Sequence, residues 1–128
     1  MNGAKTNVKI VLVVEDEEAI AQMLEQALVF AGYTIIRAEN GEEALEKVLA
    51  NKPHLIVLDI GLPVVDGWEV CRRLKENPET KSIPIVVYST FVQNEYREKI
   101  NAMGANDYIS KDEGVMEVLK SVKNIVGS

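Results

Sequence analysis

Cysteine and histidine are nearly missing from this 128-residue chain, which has one of each. A single thiol, Cys71, excludes an intramolecular disulfide. One cysteine and one histidine cannot build a zinc site of the usual kinds. A catalytic thiol would need a base, and His54 lies elsewhere in the sequence. Cys71 therefore reads as a packing residue of the amphipathic stretch Trp68-Glu69-Val70-Cys71-Arg72-Arg73-Leu74, and His54 as a solvated residue of the loop Lys52-Pro53-His54. Basic residues are also in short supply: 14 Lys and Arg face 20 Asp and Glu, for a net charge of −6. That balance excludes nucleic-acid binding, which needs a basic surface to displace counterions. Neither a dense Lys/Arg cluster nor an aromatic stacking platform nor a helix-turn-helix segment is present. No apolar run is long enough to span a bilayer, and the opening segment Met1-Asn2-Gly3-Ala4-Lys5-Thr6-Asn7 lacks the apolar core of a signal peptide. A cytoplasmic protein with no membrane association is expected. Repeats, low-complexity tracts and linkers are absent too. The length fits one domain, residues 1–128, with a core over about 8–126.

What is present is an alternation. Apolar runs at roughly 8–14, 33–37, 55–59, 84–88 and 106–109 alternate with helical patterns at roughly 17–31, 41–50, 66–76, 93–103 and 113–126. Val8-Lys9-Ile10-Val11-Leu12-Val13-Val14 and Leu55-Ile56-Val57-Leu58 are nearly continuous in hydrophobicity, as strands of a parallel sheet covered on both faces are. Strict alternation predicts an α/β sandwich with right-handed crossovers. The first helix is expected to bury Ile20, Leu24, Ala27, Leu28 and Ala31 and to stop at Gly32. The second is expected to bury Ala44, Leu45, Val48 and Leu49 and to end before Pro53. Pro84 should open the fourth strand, and Asn77-Pro78 should stop the third helix.

Acids close the two most apolar runs: Glu15-Asp16 after the first, Asp59 after the third. Each has a structural reading, since acids near a helix N-terminus satisfy free N–H groups. But Gly61, Leu62 and Pro63 separate Asp59 from the next helix, so Asp59 does not cap it. If the strands are neighbours, three carboxylates meet at one sheet edge. Two like charges about 4 Å apart cost roughly 4 kcal/mol at an effective dielectric near 20. A hard divalent cation, Mg²⁺ or Mn²⁺, would offset that cost, with Asp16 a direct ligand and Glu15 acting through a metal-bound water. Asp59 could accept a phosphoryl group as an acyl phosphate. Lys111, closing the fifth run, could balance charge, and Ser89 or Thr90, closing the fourth, could donate a hydroxyl hydrogen bond. The bland alternatives are a surface lysine and N-capping of the fourth helix. Asp66-Gly67 reads structurally, as a turn or helix start, with Gly67 allowing unusual dihedrals. Ligands of open α/β sheets bind beyond the strands' carboxyl ends, and Glu15, Asp16, Asp59, Ser89 and Lys111 all lie there.

Together, Val11-Leu12-Val13-Val14-Glu15-Asp16-Glu17, Leu55-Ile56-Val57-Leu58-Asp59 with Pro63 and Asp66-Gly67, Pro84-Ile85-Val86-Val87-Tyr88-Ser89-Thr90, and Gly104-Ala105-Asn106-Asp107-Tyr108-Ile109-Ser110-Lys111 resemble the receiver domain of two-component response regulators. The resemblance implies a flavodoxin-like (βα)5 three-layer sandwich with a parallel sheet in order 2-1-3-4-5. It implies that Asp59 takes a phosphoryl group from a histidine kinase or histidine phosphotransfer protein. It assigns Mg²⁺ to Asp16, Asp59 and the backbone carbonyl of Gly61. Ser89 would be the switch hydroxyl, Tyr108 the aromatic switch, and Lys111 the partner of Asp59 and then of the phosphoryl oxygens. The sequence departs from the family in two places. Asp112 follows Lys111 where a cis proline is usual. Gly61 and Phe91, at the positions associated with dephosphorylation rate, cannot act as acid or base, so slow hydrolysis is expected.

A stand-alone switch is the leading expectation, since no effector domain follows. Its output would be a contact with a downstream protein through the fourth helix, fifth strand and fifth helix. Kinase docking is expected on the first helix at Ala19, Ile20 and Met23, and the default state is a monomer. The alternatives are an interaction module independent of phosphorylation, or an aspartate-nucleophile phosphatase. The latter lacks its usual second acid, because Gly61 occupies that position.

Overall fold

A computed structural model of the protein describes residues 8–62, 66–90 and 94–127. Its elements alternate as anticipated. They are β1 (Ile10–Val14), α1 (Glu18–Phe30), β2 (Thr34–Ala38), α2 (Gly41–Asn51), β3 (Leu55–Leu58), α3 (Gly67–Glu76), β4 (Ile85–Ser89), α4 (Asn94–Ala102), β5 (Asp107–Ser110) and α5 (Val115–Val126). The strands form one parallel sheet in the order β2-β1-β3-β4-β5.

Pleating sends successive side chains to opposite faces, and this divides the interior in two. Leu12, Val14, Ile56, Leu58, Ile85 and Val87 pack against Ala44 and Val48 of α2, Val70, Cys71 and Leu74 of α3, and Ile100 of α4. Val11, Val13, Leu55, Val57, Val86, Tyr88 and Ile109 pack against Leu24 and Leu28 of α1 and Val118, Leu119 and Val122 of α5. The placement follows from crossover handedness. The chain steps from β1 to β2 in one direction and from β2 through β5 in the other. One hand for every crossover therefore puts α1 on the face opposite α2, α3 and α4. The reversal opens a crevice between the carboxyl ends of β1 and β3.

Several boundaries differ from the periodicity. Strands β2, β4 and β5 each sit one residue later than their apolar runs predict. In the first case the C-terminal cap of α1 takes the intervening residues: Gly32 N–H donates to Val29 O (2.9 Å) and Tyr33 N–H to Leu28 O (3.0 Å), with Gly32 at φ +103°. Residues 111–113 form a 3-10 turn, so α5 begins at Val115 rather than 113. Leu49 is 48% exposed, and Ile20, Ala27, Ala31 and Leu45 are only half-buried, because the stripes that face the sheet are narrower than the apolar pattern. Cys71 is buried as expected. His54 is exposed but not idle: its Nδ1 accepts the Ile10 N–H (2.9 Å), tying the opposite end of β1. No helix among the described residues is long and apolar enough to cross a membrane.

Candidate functional site

The last registered pair between β1 and β3 is Val14 with Leu58. The hydrogen-bond ladder runs one residue further. Asp59 N–H donates to Val14 O (3.1 Å) and Glu15 N–H to Ala38 O (3.0 Å). Glu15 and Asp59 are thus held by backbone before their side chains make any contact, and both are buried. Asp16, the next residue, is exposed. One carboxylate oxygen from each of Glu15, Asp16 and Asp59 lies within 4.8 Å of the others. Helix capping explains the acids only in part: Glu15 Oε2 accepts the Glu17 N–H (3.2 Å) at the start of α1. The N-cap of α1 is Glu17, whose side chain makes no capping hydrogen bond, and α3 is capped by Asp66, whose Oδ1 accepts the Glu69 N–H (3.0 Å).

Lys111 enters this cluster from the end of β5. Its Nζ donates to Asp59 Oδ2 (3.0 Å) and lies 3.1 Å from Glu15 Oε1 and 3.2 Å from Glu17 Oε1. The lysine side chain is 10% exposed and that of Glu15 1%. Burial, reinforced by the charge of Asp59, raises the Glu15 pKa to about 7 despite the ammonium. Burial also opposes the charged form of Lys111, but hydrogen bonds and charge from Asp59 and Glu15 prevail, and its pKa is raised. Lys111 is consequently a fixed cation, whereas Glu15 sits at the edge of ionisation near neutrality.

With Glu15 ionised, the carboxylates of Glu15, Asp16 and Asp59 outnumber the one ammonium, and the cluster carries excess negative charge. The donors are all oxygen and Asp16 opens to solvent, so the set fits a hard divalent cation. Glu15, Asp16 and Asp59 are the side chains that could hold it. Gly61, also proposed as a ligand, is exposed two residues beyond Asp59, and its N–H donates to Asp59 Oδ1 (3.1 Å).

Ser89 ends β4 and is fully buried, while Thr90 is exposed. Among the described residues the fourth helix begins at Asn94. Tyr108, paired with Val87 across β4 and β5, is half-buried on the α2–α4 side, with the Arg97 guanidinium 4.8 Å from its ring centroid. On α1, Ala19 and Met23 are exposed and Ile20 half-buried. Pro63 and Phe91 lie outside the described residues.

Two further features shape the site. Asp66-Gly67 is a helix start, the second of its two expected readings, and Gly67 does not have a positive φ. What it supplies is close approach: an added Cβ would lie 2.4 Å from Ile60 Cα and 2.6 Å from Asp59 O. Its N–H donates to Ile60 O (2.9 Å), so the start of α3 seats the loop that carries Asp59. The second is Ser110-Lys111-Asp112-Glu113, which has the S-x-x-E spacing of a capping box. The Lys111–Asp112 bond is trans, as are all described peptide bonds. The Ser110 hydroxyl accepts the Asp112 N–H (3.3 Å) and Glu113 Oε2 accepts the Ser110 N–H (2.9 Å).

Comparison with known proteins gives concordant results. The sequence model of the response regulator receiver domain matches residues 11–123. The polar-differentiation response regulator DivK of Brucella anthropi is 35% identical over 119 residues, 93% of this chain and 97% of that one. Among solved structures, the phosphorylated cyanobacterial phytochrome response regulator RcpA has a TM-score of 0.79 at 31% identity, covering 92% of this chain and 91% of that one. The receiver domain of the Pseudomonas aeruginosa sensor histidine kinase PA1611, with magnesium coordinated in its active-site cleft, has a TM-score of 0.84 at 25% identity, covering 94% and 99%.

Proposed function

The chain belongs to the response regulator receiver family, and on that premise we propose that it is a phospho-acceptor switch in which Asp59 is the accepting residue. Receiver domains are signalling switches rather than turnover enzymes, and the only reaction assigned here is the chain's own phosphorylation and dephosphorylation. The observation that carries the reading is the buried Asp59 carboxylate, bonded through Oδ2 to Lys111 and flanked by Glu15 and Asp16. In the proposed step, an Asp59 oxygen attacks the phosphorus of a phosphohistidine on a kinase or phosphotransfer protein. The P–N bond breaks, the imidazole nitrogen keeps the electron pair, and an O–P bond forms. A Mg²⁺ or Mn²⁺ ion held by Asp16, Asp59 and the Gly61 carbonyl, with Glu15 acting through water, would neutralise charge on the phosphoryl oxygens; the PA1611 receiver domain carries magnesium in its active-site cleft. Lys111 balances the remaining charge.

The phosphoryl group brings about two negative charges and three acceptors. Lys111 and the Ser89 hydroxyl are drawn toward it, and Tyr108 repacks. A full population shift, from 1:99 to 99:1, needs about 5.5 kcal/mol of differential stabilisation. The output surface is the α4, β5 and α5 face bearing Tyr108, and the kinase docks on α1 around Ala19, Ile20 and Met23. The protein acts in the cytoplasm as a monomer.

Incubation with acetyl phosphate and Mg²⁺ followed by intact mass measurement tests the reading. One phosphoryl adduct is expected in the parent, and none in Asp59→Ala or without the metal. A modification that survives in Asp59→Ala would sink the assignment. A phosphatase on this scaffold is disfavoured by Gly61, and a phosphorylation-independent module by the complete set of acids, hydroxyl and lysine.

A further inference from the structure

Lys111 has a demanding position. Its ammonium must reach Asp59 and Glu15 from a connection between a strand edge and a helix, and a loop lysine without restraint would sample many positions. Where the receiver pattern carries proline after the lysine, this chain has Asp112 in a trans linkage. Something else must hold the backbone of residue 111.

The turn around it is closed on every side. Ser110 is extended (φ −73°, ψ 143°) and ends β5, where it pairs with Ser89. Its hydroxyl accepts the Asp112 N–H, and its own N–H is taken by Glu113 Oε2 at 2.9 Å. The Lys111 carbonyl accepts the Gly114 N–H (3.3 Å), and Gly114 at φ +88° turns the chain into α5. Lys111 is thus the first residue of a capped 3-10 turn, with hydrogen bonds before and after it. Glu113 is exposed, and the buried residues of α5 are Val118, Leu119, Ser121 and Val122.

We infer that Ser110 and Glu113 are positioning residues for phosphoryl transfer: the reciprocal box they form holds the backbone of Lys111 so that its ammonium is aimed at Asp59. The inference rests on the receiver reading for its consequence in phosphorylation, but not for its geometric content. A misplacement of about 1 Å in a positioned group can cost on the order of 100-fold in rate. Loss of one bond of the box, with the other retained, is expected to cost roughly tenfold.

The test compares the full chain with Glu113→Ala and Glu113→Gln. The Gln variant keeps a side-chain oxygen for the Ser110 N–H and removes only the charge. Two rates are read for each protein, with thermal unfolding run alongside to establish that each is folded. One is phosphorylation by acetyl phosphate with Mg²⁺. The other, which needs no phosphorylation, is acetylation of Lys111 by acetic anhydride, mapped by tryptic mass spectrometry against the exposed Lys120 as internal reference. Glu113→Ala should phosphorylate about tenfold more slowly and acetylate Lys111 several-fold faster relative to Lys120. Glu113→Gln should restore both rates to within about twofold of the parent. The inference is overturned if Glu113→Ala matches the parent in Lys111 acetylation, whatever its phosphorylation rate. It is equally overturned if the Gln variant is as impaired as the Ala variant. A parent that takes no phosphoryl group from acetyl phosphate but shows the acetylation pattern counts against the phospho-acceptor proposal alone and leaves the geometric inference standing.

Discussion

Replacing Lys111 with methionine keeps most of the side-chain volume and removes the charge. Glu15 and Asp59, with side chains 1% and 7% exposed, would then lose their buried cation. Breaking a buried pair by removing one partner costs about 3–5 kcal/mol when the remaining charge has no escape. Here Glu15 has one, because its pKa already stands at about 7 and Lys111 holds it down. Without the lysine it rises, so Glu15 takes up a proton in the folded state. The sign follows from linkage. A carboxyl whose folded pKa exceeds its unfolded value binds more protons when folded, so stability falls as pH rises through the folded pKa. At pH 6 the variant should hold Glu15 neutral and lose about 1 kcal/mol. At pH 8 Glu15 is driven to ionise beside Asp59 without its cation, and the loss should approach about 2 kcal/mol, a difference below the ~1.36 kcal/mol that one group can supply over this range once the parent's own Glu15 titration near 7 is subtracted. Both figures are upper values, because water reaches the cluster from the Asp16 side. Urea unfolding at the two pH values, in chelator, measures them. Adding Mg²⁺ should recover part of the loss at pH 8 through preferential binding to the folded state. An equal loss at both pH values, or no loss at pH 8, would refute the account of a buried, under-neutralised acidic pair.

The same reasoning makes Glu15→Gln stabilising in the metal-free protein. About 1–2 kcal/mol is expected at pH 8 and little at pH 5, with weaker Mg²⁺ binding by calorimetry. Gly67→Ala forces a Cβ against the backbone at Ile60 and Asp59. It should cost about 1–3 kcal/mol in urea unfolding, as overpacking does, and slow phosphorylation by shifting the loop. With Gly61 and Phe91 at the positions associated with hydrolysis, the phosphorylated protein should persist for minutes or longer. A lifetime of seconds in the isolated protein contradicts that.

Much of the site was legible before folding because strands are local. An apolar run ends where its pattern ends, so Glu15, Asp59, Ser89 and Lys111 could be placed near the sheet's carboxyl edge from spacing alone; the neighbourhood of β1 and β3 then made Glu15, Asp16 and Asp59 a cluster, which Lys111 enters from β5. Ser110-Lys111-Asp112-Glu113 is legible too, since a capping box is a spacing. The sheet-facing stripes were less legible: Leu49 follows the helical period yet stands in solvent. Periodicity names an apolar face but not how much of it the sheet can cover.

Sequence alone determined the alternation of elements, the acidic strand ends and the exclusion of disulfide and zinc chemistry, because each depends on residue type and short-range order. Tertiary structure alone decided which oxygens Lys111 meets, that Glu15 is buried deeply enough to titrate near neutrality, that Gly67 serves close packing rather than a rare dihedral, and that Tyr108 lies beside Arg97. Those are distances between segments remote in the chain, and a charge's energy depends on such distances and on the water removed around it. Neither quantity exists until the sheet has brought β1, β3 and β5 to one edge.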